Sequence, residues 1–355
     1  RIDFSNDAKG ALLLEPTRSN LLTYSEAFDN AYWTKSGTSV VSGFTSPYKT
    51  ENAFKLVESS ANQAHTITSS TGAVISGATT TKSIIVKPNG RRWILLLDIN
   101  KPGSRAWFDL ELGVVGSLQP NAISSKIEKL SNGYFRCSST SAVGGTSSTL
   151  RMDIVQGNNI TTGYQGDGTS GVYIYGAQLE QGSYATSYIP TQGSVVTRVA
   201  ETCSGAGNDQ VINSTEGVLY VNLSDIKSQN FDSIIINNGI ADENNQVRIW
   251  FYNNTLTYQY KVGSVASAQI ALGTIDLTSD TKIACSWKLN EFKLFVNGLQ
   301  RGVTDTSGSV LANGTLESVQ FKRGNNTGNF YGKTKDLKLY NTALSNAELT
   351  ALTKI

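Results

Sequence analysis

Histidine is almost missing from this chain: His65 is the single one in 355 residues. A histidine-based nucleophilic triad or zinc site therefore has little to work with. His65 lies in a polar Ala-His-Thr setting and reads as an exposed loop or edge residue. Cysteine is scarce as well. Cys137, Cys203 and Cys285 are odd in number and far apart, which excludes a disulfide framework and a cysteine metal cluster. Cys137 and Cys285 fall inside apolar runs and read as small buried hydrophobes. Charge is sparse at 16% and nearly balanced at +2, so there is no electrostatic footprint for nucleic acid. No apolar run approaches the ~18 residues of a membrane span, so no membrane insertion is expected. The chain has no Glu-x-Asp and no glycine-rich phosphate loop, and Gly166-Asp167-Gly168 reads as a turn. It begins at Arg1 without methionine or leader, which suggests an excised piece of something longer.

What is present points to strands. Hydrophobic residues make up 39%, enough to bury a core. Val, Ile, Thr, Tyr and Phe recur in short runs, whereas long stretches of helix formers are absent. Five Asn-Gly pairs (89–90, 132–133, 238–239, 297–298 and 313–314) sit between alternating apolar segments, as antiparallel hairpins require. One set of strands is expected at 82–87, 93–99, 105–112, 134–140, 149–156 and 172–179. A second set is expected at 217–223, 232–236, 246–252, 255–261, 281–289, 291–297, 316–322 and 334–340. Ser345-Asn346-Ala347-Glu348 is a capping box that opens one short helix, 346–353, with Ala347, Leu349, Ala351 and Leu352 as its apolar face. The expected fold is all-β: two antiparallel β-sandwich (jelly-roll) domains with one short C-terminal helix. The domains are set at 1–203 and 215–355, joined by a polar linker over 204–214.

Period-two reading also nominates surfaces. In Arg105–Leu112, Ala106, Phe108, Leu110 and Leu112 share a core face, which leaves Arg105, Trp107, Asp109 and Glu111 outside. Tyr134 and Arg136 oppose Phe135 and Cys137, and Arg151 and Asp153 oppose Leu150, Met152 and Ile154. In the second domain Arg248, Trp250 and Tyr252 oppose Val247, Ile249 and Phe251. Aromatic rings stack on the C–H faces of sugars, and Arg with Asp or Glu forms a donor–acceptor fork for hydroxyls. These residues are the candidate glycan-binding set. The competing reading is an ordinary solvated sheet face with cross-strand ion pairs.

Two resemblances extend this reading. The segment Gly10–Asn30 with Tyr32-Trp33, the run Tyr164-Gln165-Gly166-Asp167-Gly168, Tyr175–Gly182 and Ala185–Thr191 with Val196-Thr197-Arg198 resembles a module of tailed-bacteriophage virion proteins, especially tail fibres. That module is similar to jelly-roll carbohydrate-binding modules and covers about residues 1–200. Val218–Leu223, Cys285–Leu289, Val296-Asn297-Gly298 and the closing Gly332–Leu349 resemble the laminin-G/concanavalin A-like superfamily over about 215–355. The resemblances imply a virion location, a bacterial surface or host polysaccharide as ligand, other virion proteins as partners, and a fibre-like homotrimer. They imply no cofactor, although some members of the second family hold calcium at a rim. Asp242, Glu243 and Asp305 are the rim candidates here. The expected function is non-catalytic glycan binding. The alternatives are a capsid or tail decoration domain making protein contacts only, and a polysaccharide depolymerase whose acids are dispersed; Asp109-Leu110-Glu111 is the nearest thing to a catalytic pair.

Overall fold

The computed structural model describes residues 1–4, 8–142, 144–227 and 231–355. It is nearly all antiparallel sheet, in two compact units. One comprises Thr17–Val199. The other comprises Arg1–Pro16 together with Ala200–Ile355.

The 17–199 unit is a jelly roll of two six-stranded sheets. One is centred on Thr80–Asn89, which pairs with Phe135–Ser141 on one side and Gly171–Gln181 on the other. The other is centred on Trp93–Leu97, between Ala106–Asp109 and Arg151–Val155. Alternate residues of both sheets meet in a core that includes Ile84, Val86, Ile94, Leu96, Phe108, Cys137, Met152 and Ile154.

The other unit stacks a seven-stranded sheet on a six-stranded one. Its core holds Leu219, Val221, Ile249, Phe251, Tyr258, Cys285, Trp287 and Leu294. The polar atoms of two large core rings are satisfied by backbone: Tyr258 donates to Ser286 O at 3.0 Å and Trp287 to Asn213 O at 3.1 Å. Hairpin reversals carry the left-handed backbone they need, with φ of 52° and 80° at Asn297-Gly298 and 47° and 61° at Asn253-Asn254.

Several expectations are corrected. Residues 1–16 leave the first domain. Ala11–Leu14 pairs with Gly332–Tyr340, and Leu14 enters the core of the 200–355 unit, where its burial contributes roughly 2 kcal/mol. The supposed linker belongs to the same sandwich, because Ser204–Ala206 pairs with Ser318–Gln320 and Ile212 is buried. Two Asn-Gly pairs, 89–90 and 313–314, pass the chain between sheets instead of closing a hairpin. The strand expected at 105–112 stops at Asp109 and turns, leaving Leu112 exposed. The helix Asn346–Thr353 has its capping box, but it buries Leu349 and Thr353 and leaves Ala347 and Ala351 in solvent. Leu349 packs on Val218 and Tyr220, so the helix covers the outer face of the seven-stranded sheet. His65 lies in a strand and is buried, its ring nitrogens 2.7 Å from Gly37 O and 3.1 Å from Tyr164 O.

Candidate functional site

The first nominated face does not form a surface. Trp107 points away from the main core, as alternation requires, yet it is fully buried. The segment following Arg151–Val155 crosses over it. The indole N–H donates to Ile160 O at 2.9 Å, and Leu95, Leu97, Val155 and Trp93 complete a second small core. Asp109 is buried too. Arg92 grips it through two nitrogens, and its Oδ1 accepts from the amides of Glu111 and Leu112 at 3.0 and 3.2 Å, which fixes the turn. The Arg92 hydrogen bonds hold its carboxyl below the ordinary range. Glu111 is exposed and shares Arg92 at 3.2 Å. This pair is an anchor for a turn, not an open carboxylate dyad. Arg151 clasps Asp153 at 2.7 and 3.0 Å, and Arg105 binds Gln119 at 3.3 Å. Burial raises the Asp153 carboxyl despite both arginines.

Tyr134 and Arg136 lie on the outer face of the other sheet. The Tyr134 ring is buried and its hydroxyl donates to Thr45 O at 2.8 Å; Arg136 donates to Ser83 Oγ at 2.9 Å. Around them stands an aromatic group that alternation alone did not reveal. Phe44 and Tyr173 lie 4.8 Å apart, and the Lys87 ammonium sits over the rings of Tyr134 and Tyr173. Glu26 accepts from the hydroxyls of Tyr175 and Tyr188 at 2.8 and 3.0 Å. Only Tyr48 stands well out, at 58% exposure. These rings come from positions 44 to 188, so no local spacing announces them.

The third nominated set keeps an accessible face. Gln246–Tyr252 lies inside the six-stranded sheet, paired with Asp232–Asn237 and Thr255–Val262. Val247, Ile249 and Phe251 face the core, and Arg248, Trp250 and Tyr252 face outward. Tyr252 is exposed and stacks on Phe231, with centroids 4.4 Å apart and planes within 9°. Phe231 takes a left-handed φ of 59°, a conformation that a bulky side chain rarely adopts and that tends to mark functional positions. The Arg323 guanidinium lies 5.7 Å from the Phe231 ring and is paired with Glu243. Trp250 is half-buried, with the Arg248 guanidinium 4.5 Å from its ring centroid. Arg248 donates through Nε to Ser233 Oγ at 3.1 Å, while its buried Nη2 has no hydrogen-bond partner among the described residues. Burial, then the neighbouring Arg323, pulls Arg248 down to about 10, so it stays charged at neutral pH. Phe231, Arg323 and Glu243 were not nominated with this strand as a binding surface, because they come from separate loops.

The rim candidates do not fit a calcium ligand set. Asp242 accepts from Asn244 N at 2.7 Å, Asp305 closes its own turn onto Ser307, and Glu243 is committed to Arg323. No group of three or more His, Cys, Asp or Glu among the described residues is placed to hold a metal. In the same unit Asp209, Gln210, Asn213, Thr215, Asn313 and Asn341 line an open polar hollow of about 340 Å³.

Residues 218–350 match the concanavalin A-like lectin/glucanases superfamily, in its Laminin_G_3 branch. No curated protein matches the chain. Similar solved structures include the CBM40 of a Ruminococcus gnavus IT-sialidase bound to α2,3 sialyllactose, at 17% identity and TM-score 0.36, covering 43% of this chain and 96% of that one. Domain 4 of a GH43 extracellular arabinanase from Geobacillus stearothermophilus, in complex with arabinotriose, is similar at 16% identity and TM-score 0.33, covering 45% and 73%. Domains LG4-5 of the mouse laminin α1 chain are similar at 9% identity and TM-score 0.27, covering 83% and 89%.

Proposed function

We propose that this chain is a non-catalytic, lectin-like protein that binds cell-surface polysaccharide through the Trp250 face of its 200–355 unit. One observation carries the reading: Trp250 and the Tyr252–Phe231 stack present aromatic surface beside the guanidinium groups of Arg248 and Arg323. Rings for C–H stacking and planar donors for hydroxyls are what a sugar needs. The superfamily match over the same residues, described by lectins and glucanases, supports the same class of ligand. Sugar hydroxyls exchange water bonds for protein bonds at modest net gain, so a single site binds weakly and repetition supplies avidity. The sequence resemblance of residues 1–200 to tail-fibre modules supports a virion setting, with other virion proteins as neighbours and a homotrimer as the multivalent form. A glycan array probed with the full chain and with Trp250→Ala tests the reading. Retention on host polysaccharide by the wild type and its loss in the variant are expected. Equal retention by both proteins moves the site elsewhere, and silence of both at every glycan density sinks the reading.

A further inference from the structure

We propose that the ligand of this face carries a carboxylate, received by the Arg248 guanidinium, so that the protein selects acidic over neutral polysaccharide. The inference rests on the glycan-binding reading above and narrows it to a class of sugar. Arg248 is only 7% exposed and, among the described residues, makes one side-chain hydrogen bond, from Nε to Ser233 Oγ. Its Nη2 is buried and has no acceptor among the described residues. An unmade hydrogen bond from a buried charged group is expensive, and that cost is recovered when an acceptor arrives. No acidic side chain of the cluster is free to serve. Glu243 is bound to Arg323, so among Arg248, Arg323 and Glu243 two guanidinium groups share one carboxylate. A planar monoanion matches the shape and charge of the unsatisfied guanidinium: a carboxylate accepts from its edge more strongly than a neutral hydroxyl does. Trp250 lies over the Arg248 guanidinium, so the incoming carboxylate shifts the indole while the Tyr252–Phe231 stack receives the sugar ring.

The test uses the full chain and paired probes: oligomers of galacturonate, of mannuronate and guluronate, of hyaluronan and of N-acetylneuraminate, each as free acid and as methyl ester. Neutral dextran and dextran sulfate complete the set. Binding is read by calorimetry and by tryptophan emission. At least one acid form is expected to bind and to perturb the emission, with its ester weaker by about tenfold or more. Arg248→Gln should bind acid and ester alike, at the level of the wild type with ester, and Arg248→Lys should fall between. The acid–ester comparison in the wild type needs no variant, so a misfolded substitution does not rescue the proposal. Neutral dextran or esters bound as tightly as acids would overturn this inference and leave the glycan reading standing. So would binding of dextran sulfate alone, or ester discrimination that survives in Arg248→Gln. No binding to any probe would overturn both.

Discussion

Trp107 and Trp250 occupy equivalent places in sequence logic. Each is an outward-facing indole on a central strand, flanked at two-residue spacing by charged or polar groups. Their fates are opposite. Trp107 is sealed under the chain that follows Arg151–Val155, with its N–H bonded to Ile160 O. Trp250 stays half-buried over Arg248, beside the exposed Tyr252. Alternation decides which side of the pleat a residue takes, but a loop placed far along the chain decides whether that side meets water. A charged and aromatic outer row is therefore equally compatible with a second core and with a binding face.

The largest expected effect tests this contrast directly. Trp107→Ala should cost about 3–5 kcal/mol in the 17–199 unit, because it empties a fully packed site and strands Ile160 O. Denaturant unfolding followed by circular dichroism measures it. A midpoint unchanged from the wild type would show that the covering segment does not seal the site, and the contrast would collapse.

Next in size is a second buried cation, in the 17–199 unit. Lys82 is completely buried, bonded to the Ser141 hydroxyl, with Asp98 raising and Lys101 lowering its proton affinity. Burial dominates and brings it from 10.5 down to about 8. Between those values the unfolded chain keeps the proton that the folded chain has released, so stability rises with pH across that window and is lost as pH falls through it. The full span is about 3 kcal/mol. Lys82→Met should be more stable than the wild type at pH 7, with the gap narrowing towards pH 10. Melting both proteins between pH 7 and 10 checks this; parallel curves would mean that Lys82 is solvated in the native state.

On the Trp250 side, Trp250→Ala should weaken glycan binding by about tenfold or more while shifting the stability of its unit by roughly 1 kcal/mol or less. That asymmetry between binding and stability is the mirror image of what Trp107→Ala should give. If Trp250→Ala instead unfolds its unit, the two faces are alike after all.

Fold class, many of the core strands and the capped helix were legible in the sequence because they depend on local chemistry: the alternation of Val247, Ile249 and Phe251, the Asn297-Gly298 turn, the reciprocal Ser345 and Glu348 bonds. Strands such as Thr38–Phe44, Ala122–Lys129 and Val265–Thr274 were not, being polar or exposed runs without that alternation. The domain boundary was not, because nothing in Ala11–Leu14 distinguishes a strand that pairs with its neighbours from one that pairs with residues 332–334. The candidate site was half legible. Arg248, Trp250 and Tyr252 announce a face; Phe231, Arg323 and Glu243 join it only through tertiary folding. Trp107, Asp109 and Tyr134 failed as surface residues for the same reason, since the groups that hold them lie 17 to 89 residues away.

The smallest effect concerns a third kind of cover. The outer side of Gly217–Ser224 carries Val218 and Tyr220, which the helix Asn346–Thr353 overlays through Leu349. Here the cover is a local element held by its own cap: Glu348 N donates to Ser345 Oγ at 3.3 Å and Ser345 N to Glu348 Oε2 at 2.8 Å. Ser345→Ala removes the acceptor for the helix amide and should cost about 1 kcal/mol. If covering is what turns an outer face into core, amide exchange should quicken first in 346–353 and should stay unchanged along Gln246–Tyr252, whose outer face has no such cover to lose. Uniformly faster exchange through the 200–355 unit would mean instead that the helix and both sheets open together, and that the helix acts as part of one cooperative core.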